Sequence, residues 1–252
     1  MNLPKTSFPL TPAAAAFLAS VERQRPKVAA FDCDGTLWEG DTGEQFLYWT
    51  LERGLLPDAA VRWIQERYRG YKSGKVSEEA ICGDMVTVHE GLPISTLERE
   101  ADEFFAAKFV PAIFPEMWEL VARLNQQGCQ IWAVSSTNDW VVRAGVRRFG
   151  IPEERVLAAC VHCDDGIASG RLWRVPTDED KAAALWEVLQ APLDAAFGNS
   201  IHDAAMLSLA RQAFAINPNP DLRQVAQQRG WKVYFPMGTA AHQSEPLPGA
   251  PQ

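Results

Sequence analysis

The stretch Val28-Ala29-Ala30-Phe31-Asp32-Cys33-Asp34-Gly35-Thr36-Leu37 governs the reading of the whole chain. An apolar run of strand length ends in two aspartates one residue apart, and Gly35-Thr36 then breaks the strand into a turn. Both carboxylates therefore fall at the carboxyl end of a buried strand, where open α/β sheets bind their ligands. Clustered carboxylates raise one another's pKa unless a cation sits between them. The pair points to a bound divalent metal, with one carboxylate free to attack and the other free to move protons. Asp-Gly is also ordinary turn chemistry, so the downstream sequence has to separate the two readings.

Outward from this strand, the pattern alternates strands with helices. Residues 44 to about 108 are helical in character, punctuated by Pro57 and Gly70, with helix starts at Ser77-Glu78-Glu79 and at Ser95, whose spacing to Glu98 is that of a capping box. From Phe114 onward a helix over 115–127 stops at Gly128, and a second strand over 130–134 runs into Ser135-Ser136-Thr137-Asn138. A third strand is predicted near Val156, a hairpin over 160–175, a helix from Lys181, and further strands at Ala195, Ala213 and Val233. The fold class expected is α/β, a Rossmann-like doubly wound parallel sheet with an inserted all-helical cap. The core comprises 1–43 and 113–252, with 1–27 as an N-terminal extension and 238–252 as a disordered tail, and the cap is 44–112.

With 252 residues, 47% of them hydrophobic, the chain can bury a full core. A net charge of −8 argues against nucleic acid as a partner, since phosphate backbones demand a basic surface. No apolar run reaches the ~18 residues of a membrane span. Thr11-Pro12 ahead of Ala13–Ala16 reads as a helix N-cap followed by proline at the first helical position, and as a surface helix rather than a signal peptide. The five cysteines, an odd number in apolar contexts, suit a reducing, cytoplasmic location.

Polar clusters follow the strands in order: Asp32 and Asp34, then Ser135, then Lys181 at a helix start, then Asn199 with Asp203. In a parallel sheet all of these converge on one edge. Carboxylates, a hydroxyl and a lysine around a metal constitute a phosphate site. Asp32-Cys33-Asp34-Gly35-Thr36-Leu37, Val134-Ser135-Ser136, Lys181 and Gly198-Asn199-Ser200-Ile201-His202-Asp203 together closely resemble the motifs of the haloacid dehalogenase superfamily. The helical insert directly after the first motif looks like the cap of its phosphoserine-phosphatase-like branch.

The resemblance implies a Mg²⁺-dependent phosphatase acting on a small phosphomonoester. Asp32 would form an aspartyl phosphate, Asp34 would serve as acid and then base, and Lys181 would neutralise charge. Ser135 and Ser136 would bind phosphate, while Asp32, Asp34, Asn199 and Asp203 would surround the metal. Family members usually carry Asp where this chain has Asn199, so weaker metal affinity is expected. A phosphotransferase using the same intermediate, and a catalytically weak binding protein, are the competing readings.

Asp41 lies nine residues after Asp32, where phosphoserine phosphatases place an acid for the substrate ammonium, and Glu44 is a second such acid. The stretch 76–92 has no arginine for a substrate carboxylate, which counts against phosphoserine. The substrate expected is a phosphorylated amino alcohol or amino acid. Trp38, Tyr48, Trp49, Trp63, Tyr68 and Tyr71 read mainly as cap core, and His202 as helix surface.

Overall fold

The first strand is short because its sequence is short: β1 covers Val28–Phe31, and every residue after Val28 is buried. Alternate side chains of a strand face opposite ways, and here both faces are covered. Ala29 and Phe31 point into one apolar layer, and Ala30 into the other. This is why the run is continuously apolar instead of alternating. The computed structural model describes residues 10–236; the tail read from the sequence lies outside them.

Around β1 the sheet builds in both directions. The remaining strands are β2 (Gln130–Asn138), β3 (Val156–Asp164), β4 (Ile167–Arg174), β5 (Leu193–Gly198), β6 (Ala210–Ile216) and β7 (Lys232–Tyr234). Their order is β4-β3-β2-β1-β5-β6-β7, all parallel except β4, which returns antiparallel beside β3. Ala30 is in register with Trp132 on one side and Ala196 on the other. Phe31, Phe197 and Phe214 stack across three neighbouring strands, with ring centroids 4.2 and 4.8 Å apart. Strands and helices alternate as the sequence predicts, and the architecture is a doubly wound α/β sheet.

The helices are α1 (Pro12–Glu22), α2 (Thr42–Glu52), α3 (Asp58–Lys72), α4 (Glu78–Thr87), α5 (Ile94–Phe104), α6 (Pro115–Gln126), α7 (Asp139–Val146), α8 (Glu179–Leu189), α9 (Ala204–Ser208) and α10 (Pro220–Arg229). Thr11 caps α1 by accepting from the Ala14 amide, with Pro12 at the first position. Among the described residues no helix is long and apolar enough to cross a membrane.

Four consecutive helices, α2 to α5, separate β1 from α6 and β2. Leu47, Leu56, Ile64, Ile81 and Val88 form their own small core. His89 joins this insert to the sheet layers: it is fully buried, with Nε2 3.2 Å from Thr50 Oγ1, between the rings of Phe46 and Trp140. The start of α5 differs from its sequence signature. Pro93, not Ser95, precedes the first turn, and the Ile94 amide donates to Gly166 in the β3–β4 turn at 2.8 Å. A tertiary hydrogen bond replaces the capping box. β2 runs on through Ser135 to Asn138 across a register shift, and the Asn138 side chain caps α7.

Candidate active site

Asp32 leaves β1 with its amide still hydrogen-bonded to the Phe197 carbonyl at 2.9 Å, so the sheet fixes its backbone. The chain then turns sharply at Gly35, whose φ of +73° L side chains rarely adopt. A Cβ there would lie 1.9 Å from Asn199 Nδ2, so this turn and the loop after β5 can approach only through a glycine. β2 and β5 flank β1 in the sheet and bring Ser135 and Asn199 to the same edge. Asp32, Asp34, Ser135, Ser136, Lys181 and Asn199 all line one crevice of about 350 Å³.

At its floor, Lys181 Nζ lies 2.7 Å from Asp32 Oδ1 and 2.6 Å from Asp203 Oδ1, all three side chains being buried. Asp32 Oδ2 accepts from Thr36 Oγ1 at 2.8 Å. Burial first, and Asp203 second, push the Asp32 carboxyl up to about 7, against the lowering pull of Lys181. Burial works against the Lys181 ammonium too, but Asp203 and Asp32 overcome it and hold Lys181 charged, well above its ordinary value. One ammonium serves two carboxylates, and neither is fully compensated.

Asp34 is clamped instead by neutral donors. Its Oδ1 accepts from Trp38 Nε1 at 2.6 Å, Thr42 Oγ1 at 2.7 Å and the Thr42 amide at 3.0 Å, while Oδ2 accepts from Thr137 Oγ1 at 2.7 Å. The sequence reading missed all three partners. Thr137 sits at the end of the Ser135 strand and Thr42 beside Asp41, but nothing local shows that they meet 103 and 8 residues from their origin in Asp34. Trp38 packs in the core as the sequence predicts, fully buried against Phe105, and its indole N–H also reaches the site.

Ser135 Oγ accepts from the Thr137 amide at 3.2 Å, and Ser136 Oγ donates to the Pro176 carbonyl at 3.0 Å, tying β2 to the segment that enters α8. That segment passes through Asp178 with φ +48°. Asp178 Oδ1 accepts from His202 Nδ1 at 2.8 Å, and His202 lines the crevice rather than an outer helix surface.

Asp203 departs from its expected placement. Its Oδ1 faces Lys181 and its Oδ2 accepts from the amides of Asn199 and Ser200, both at 2.9 Å. It is fully buried and shapes the loop instead of facing the crevice. Among the described residues no three His, Cys, Asp or Glu side chains converge as a metal site. A divalent cation nevertheless fits the residues present. Asp32 and Asp203 share Lys181 while Asp34 has no cationic partner among the described residues, so three carboxylates are set against one ammonium. Among the described residues, the Asn199 side chain lines the crevice without a hydrogen-bond partner, and the Asp34 carbonyl accepts none.

The opposite wall comes from the helical insert. Asp41 caps α2, with Oδ1 accepting from the Glu44 amide at 2.8 Å. It opens to solvent along the crevice, yet enclosure by the walls first, then the charge of Asp34, push its carboxyl up to about 7. Tyr68, Tyr71, Lys72 and Glu78 line the same wall; Glu44 is not among the lining residues, and its carboxylate adds to burial in raising the Tyr68 phenol. Tyr71 donates to Glu78. Tyr48 and Trp63 are exposed elsewhere, and Trp49 donates to Glu100.

Residues 29–208 match the model of the haloacid dehalogenase-like hydrolases, and the chain belongs to this family. It is similar to the histidinol-phosphatase of Neisseria meningitidis serogroup C, 26% identical over 217 residues that span 82% of this chain and 97% of that protein. A phosphoserine phosphatase of Mycobacterium tuberculosis is 26% identical over 229 residues, 85% of this chain and 74% of its own. In fold, the chain resembles a protein of unknown function from Bordetella pertussis Tohama I, with a TM-score of 0.72 at 24% identity, covering 82% and 96% of the two chains. It also resembles a substrate-bound phosphoserine phosphatase, with a TM-score of 0.54 at 18% identity over 79% and 89%.

Proposed function

We propose that this hydrolase is a Mg²⁺-dependent phosphatase that cleaves a phosphorylated amino alcohol through an aspartyl phosphate on Asp32. The observation that carries this reading is the convergence of Asp32, Asp34, Ser135, Lys181 and Asn199 on one crevice, with Asp203 buried behind Lys181 so that three carboxylates are set against one ammonium. Asp32 attacks phosphorus, the ester P–O bond breaks, and Asp34 gives its proton to the departing alkoxide. Water then attacks the same phosphorus and passes a proton to Asp34. The bond to Asp32 breaks, releasing inorganic phosphate and restoring the carboxylate.

Thr137 suits both halves of this cycle, because a hydroxyl can donate to the Asp34 carboxylate or accept from its protonated form. Lys181, Ser135 and Ser136 bind the phosphoryl oxygens and their charge. Asp32, the Asp34 carbonyl and Asn199 would hold Mg²⁺, with Asp203 behind them holding Lys181 and the loop. When bound, the cation supplies charge that keeps Asp32 ionised and shields the phosphoryl oxygens.

In this reading the core, 1–43 and 113–252, handles the phosphoryl group, and the cap, 44–112, selects the leaving group together with Asp41 at its junction with the core. Asp41 is the anchor for an ammonium. Lys72 is the cap's sole cation at the crevice among the described residues, and no arginine lines it to fork a substrate carboxylate. The names of the relatives, histidinol-phosphatase and phosphoserine phosphatase, divide along the same line. We place this chain with the amino alcohol. The test compares kcat/KM for histidinol phosphate, phosphoethanolamine, phosphoserine, glycerol phosphate and a sugar phosphate with Mg²⁺, beside Asp41→Asn. Amino alcohol esters should lead, and Asp41→Asn should erase the lead. Preference for neutral esters, or an Asp41→Asn profile equal to the parent's, rules the anchor out.

A further inference from the structure

The cap wall already contains a cation of its own. Lys72 ends α3, and its Nζ lies 4.9 Å from the ring centroid of Tyr68 and 5.6 Å from that of Tyr71. The two rings stand 6.1 Å apart and tilted by 46°, so they form an open cleft and not a stack. The Tyr71 hydroxyl donates to Glu78, and the Glu44 carboxylate acts on Tyr68; both phenols are held neutral, their pKa raised by burial first and these carboxylates second. Hydrogen bonding to a carboxylate also leaves more electron density on the ring, which strengthens its hold on a cation. Lys72 makes no ion pair with any carboxylate among the described residues, so the two ring faces are its partners.

We propose that Lys72 is a specificity-determining internal cation: its ammonium occupies the Tyr68–Tyr71 cleft in the empty enzyme, and the cationic end of the substrate displaces it there. This rests on the phosphatase reading and adds to it a receptor distinct from Asp41. Displacement is feasible because Lys72 is at the exposed end of a helix on a flexible stem, with no buried hydrogen bond to break. Once displaced, the lysine swings into solvent, and the cleft takes a primary ammonium or imidazolium with the acids around it. Neutral or anionic leaving groups cannot replace the lysine, and so meet a wall whose cation site is filled.

The test separates this cleft from catalysis by using a probe without phosphate. L-Histidinol and glycerol are titrated calorimetrically into the parent, Lys72→Met, Lys72→Gln and Lys72→Arg, all in the absence of metal. Removal of the competitor should tighten histidinol about 3- to 10-fold in Lys72→Met and Lys72→Gln, the scale of one cation–π contact. Lys72→Arg should retain the parent's weaker binding, and glycerol should not discriminate. Tyr68→Leu should lose the gain when added to Lys72→Met. Unchanged or weakened histidinol binding in both neutral variants overturns the proposal. Because no turnover is measured, a chain that hydrolyses no phosphomonoester yet shows this tightening would refute the phosphatase reading alone.

Discussion

The two walls of the crevice are both acidic, and they treat their acids differently. On the core wall, Asp32 and Asp203 are buried, each within 2.7 Å of the same ammonium, and their remaining oxygens accept from Thr36 and from loop amides. On the cap wall, Asp41 has a single backbone donor, opens to solvent, and has no cation within ion-pair distance among the described residues. A saturated network fixes atoms in place before substrate arrives, which suits stabilisation of a developing charge. An unsaturated wall leaves attraction available for whatever enters. Under the proposed function, the contrast assigns phosphoryl chemistry and substrate choice to opposite sides of one cavity, where they should answer to different mutations.

The largest break should come from the core wall. Asp32→Asn should lower kcat/KM by at least about 10³-fold with little loss of thermal stability, since a nucleophile is removed while its shape is kept. Asp34→Asn should let phosphoenzyme accumulate, visible by mass spectrometry as one added phosphoryl on the peptide containing Asp32. Full activity in Asp32→Asn would defeat the mechanism.

Lys181→Met should damage stability as well as rate. It strands two buried carboxylates, a loss on the order of 3–5 kcal/mol. Urea unfolding should show that loss at pH 8 and a smaller one near pH 5, where Asp32, with its carboxyl pushed up to about 7, takes a proton. Equal losses at both pH values would mean that the charges are not the cause.

Asn199→Asp should lower the Mg²⁺ concentration needed for half-maximal activity by roughly 10-fold, because it adds a charge where the side chain would meet the proposed cation. EDTA should silence both proteins. A raised or unchanged requirement would show that Asn199 does not face the metal.

The smallest effect belongs to the open wall, where water screens the charge. The Asp41 carboxyl rises from an ordinary 3.8 to about 7 in the folded chain. Between those values the folded state keeps a proton that the unfolded state has lost, so stability falls as pH rises through this window. Asp41→Asn keeps the helix cap and removes the repulsion. Its Tm should exceed the parent's at pH 8, and the difference should vanish near pH 3.5. Parallel curves would mean that Asp41 is not electrostatically stressed, and the cap wall would lose its claim to a cation.

Strand and helix identity were legible in the sequence because burial on both faces leaves continuous apolar runs, as in Ala29-Ala30-Phe31, and because Thr11-Pro12 and Gly128 mark helix ends chemically. Local signals failed where a distant group competed. Ser95 and Glu98 have capping-box spacing, yet the Gly166 carbonyl takes the amide at the start of α5.

The sequence by itself determined that Asp32, Asp34, Ser135, Lys181 and Asn199 share one edge of a parallel sheet, since each follows a strand or opens a helix and sheet topology allows no other meeting place. Only the tertiary structure decided how the acids divide. Asp203 turned inward to Lys181 and the loop amides, Trp38, Thr42 and Thr137 closed around Asp34, and Tyr68, Tyr71 and Lys72 turned toward the crevice. Those contacts depend on side-chain direction across separate elements. The residue pattern sets which edge a group occupies, but its partner there is fixed by packing, where desolvation makes every unmatched charge costly.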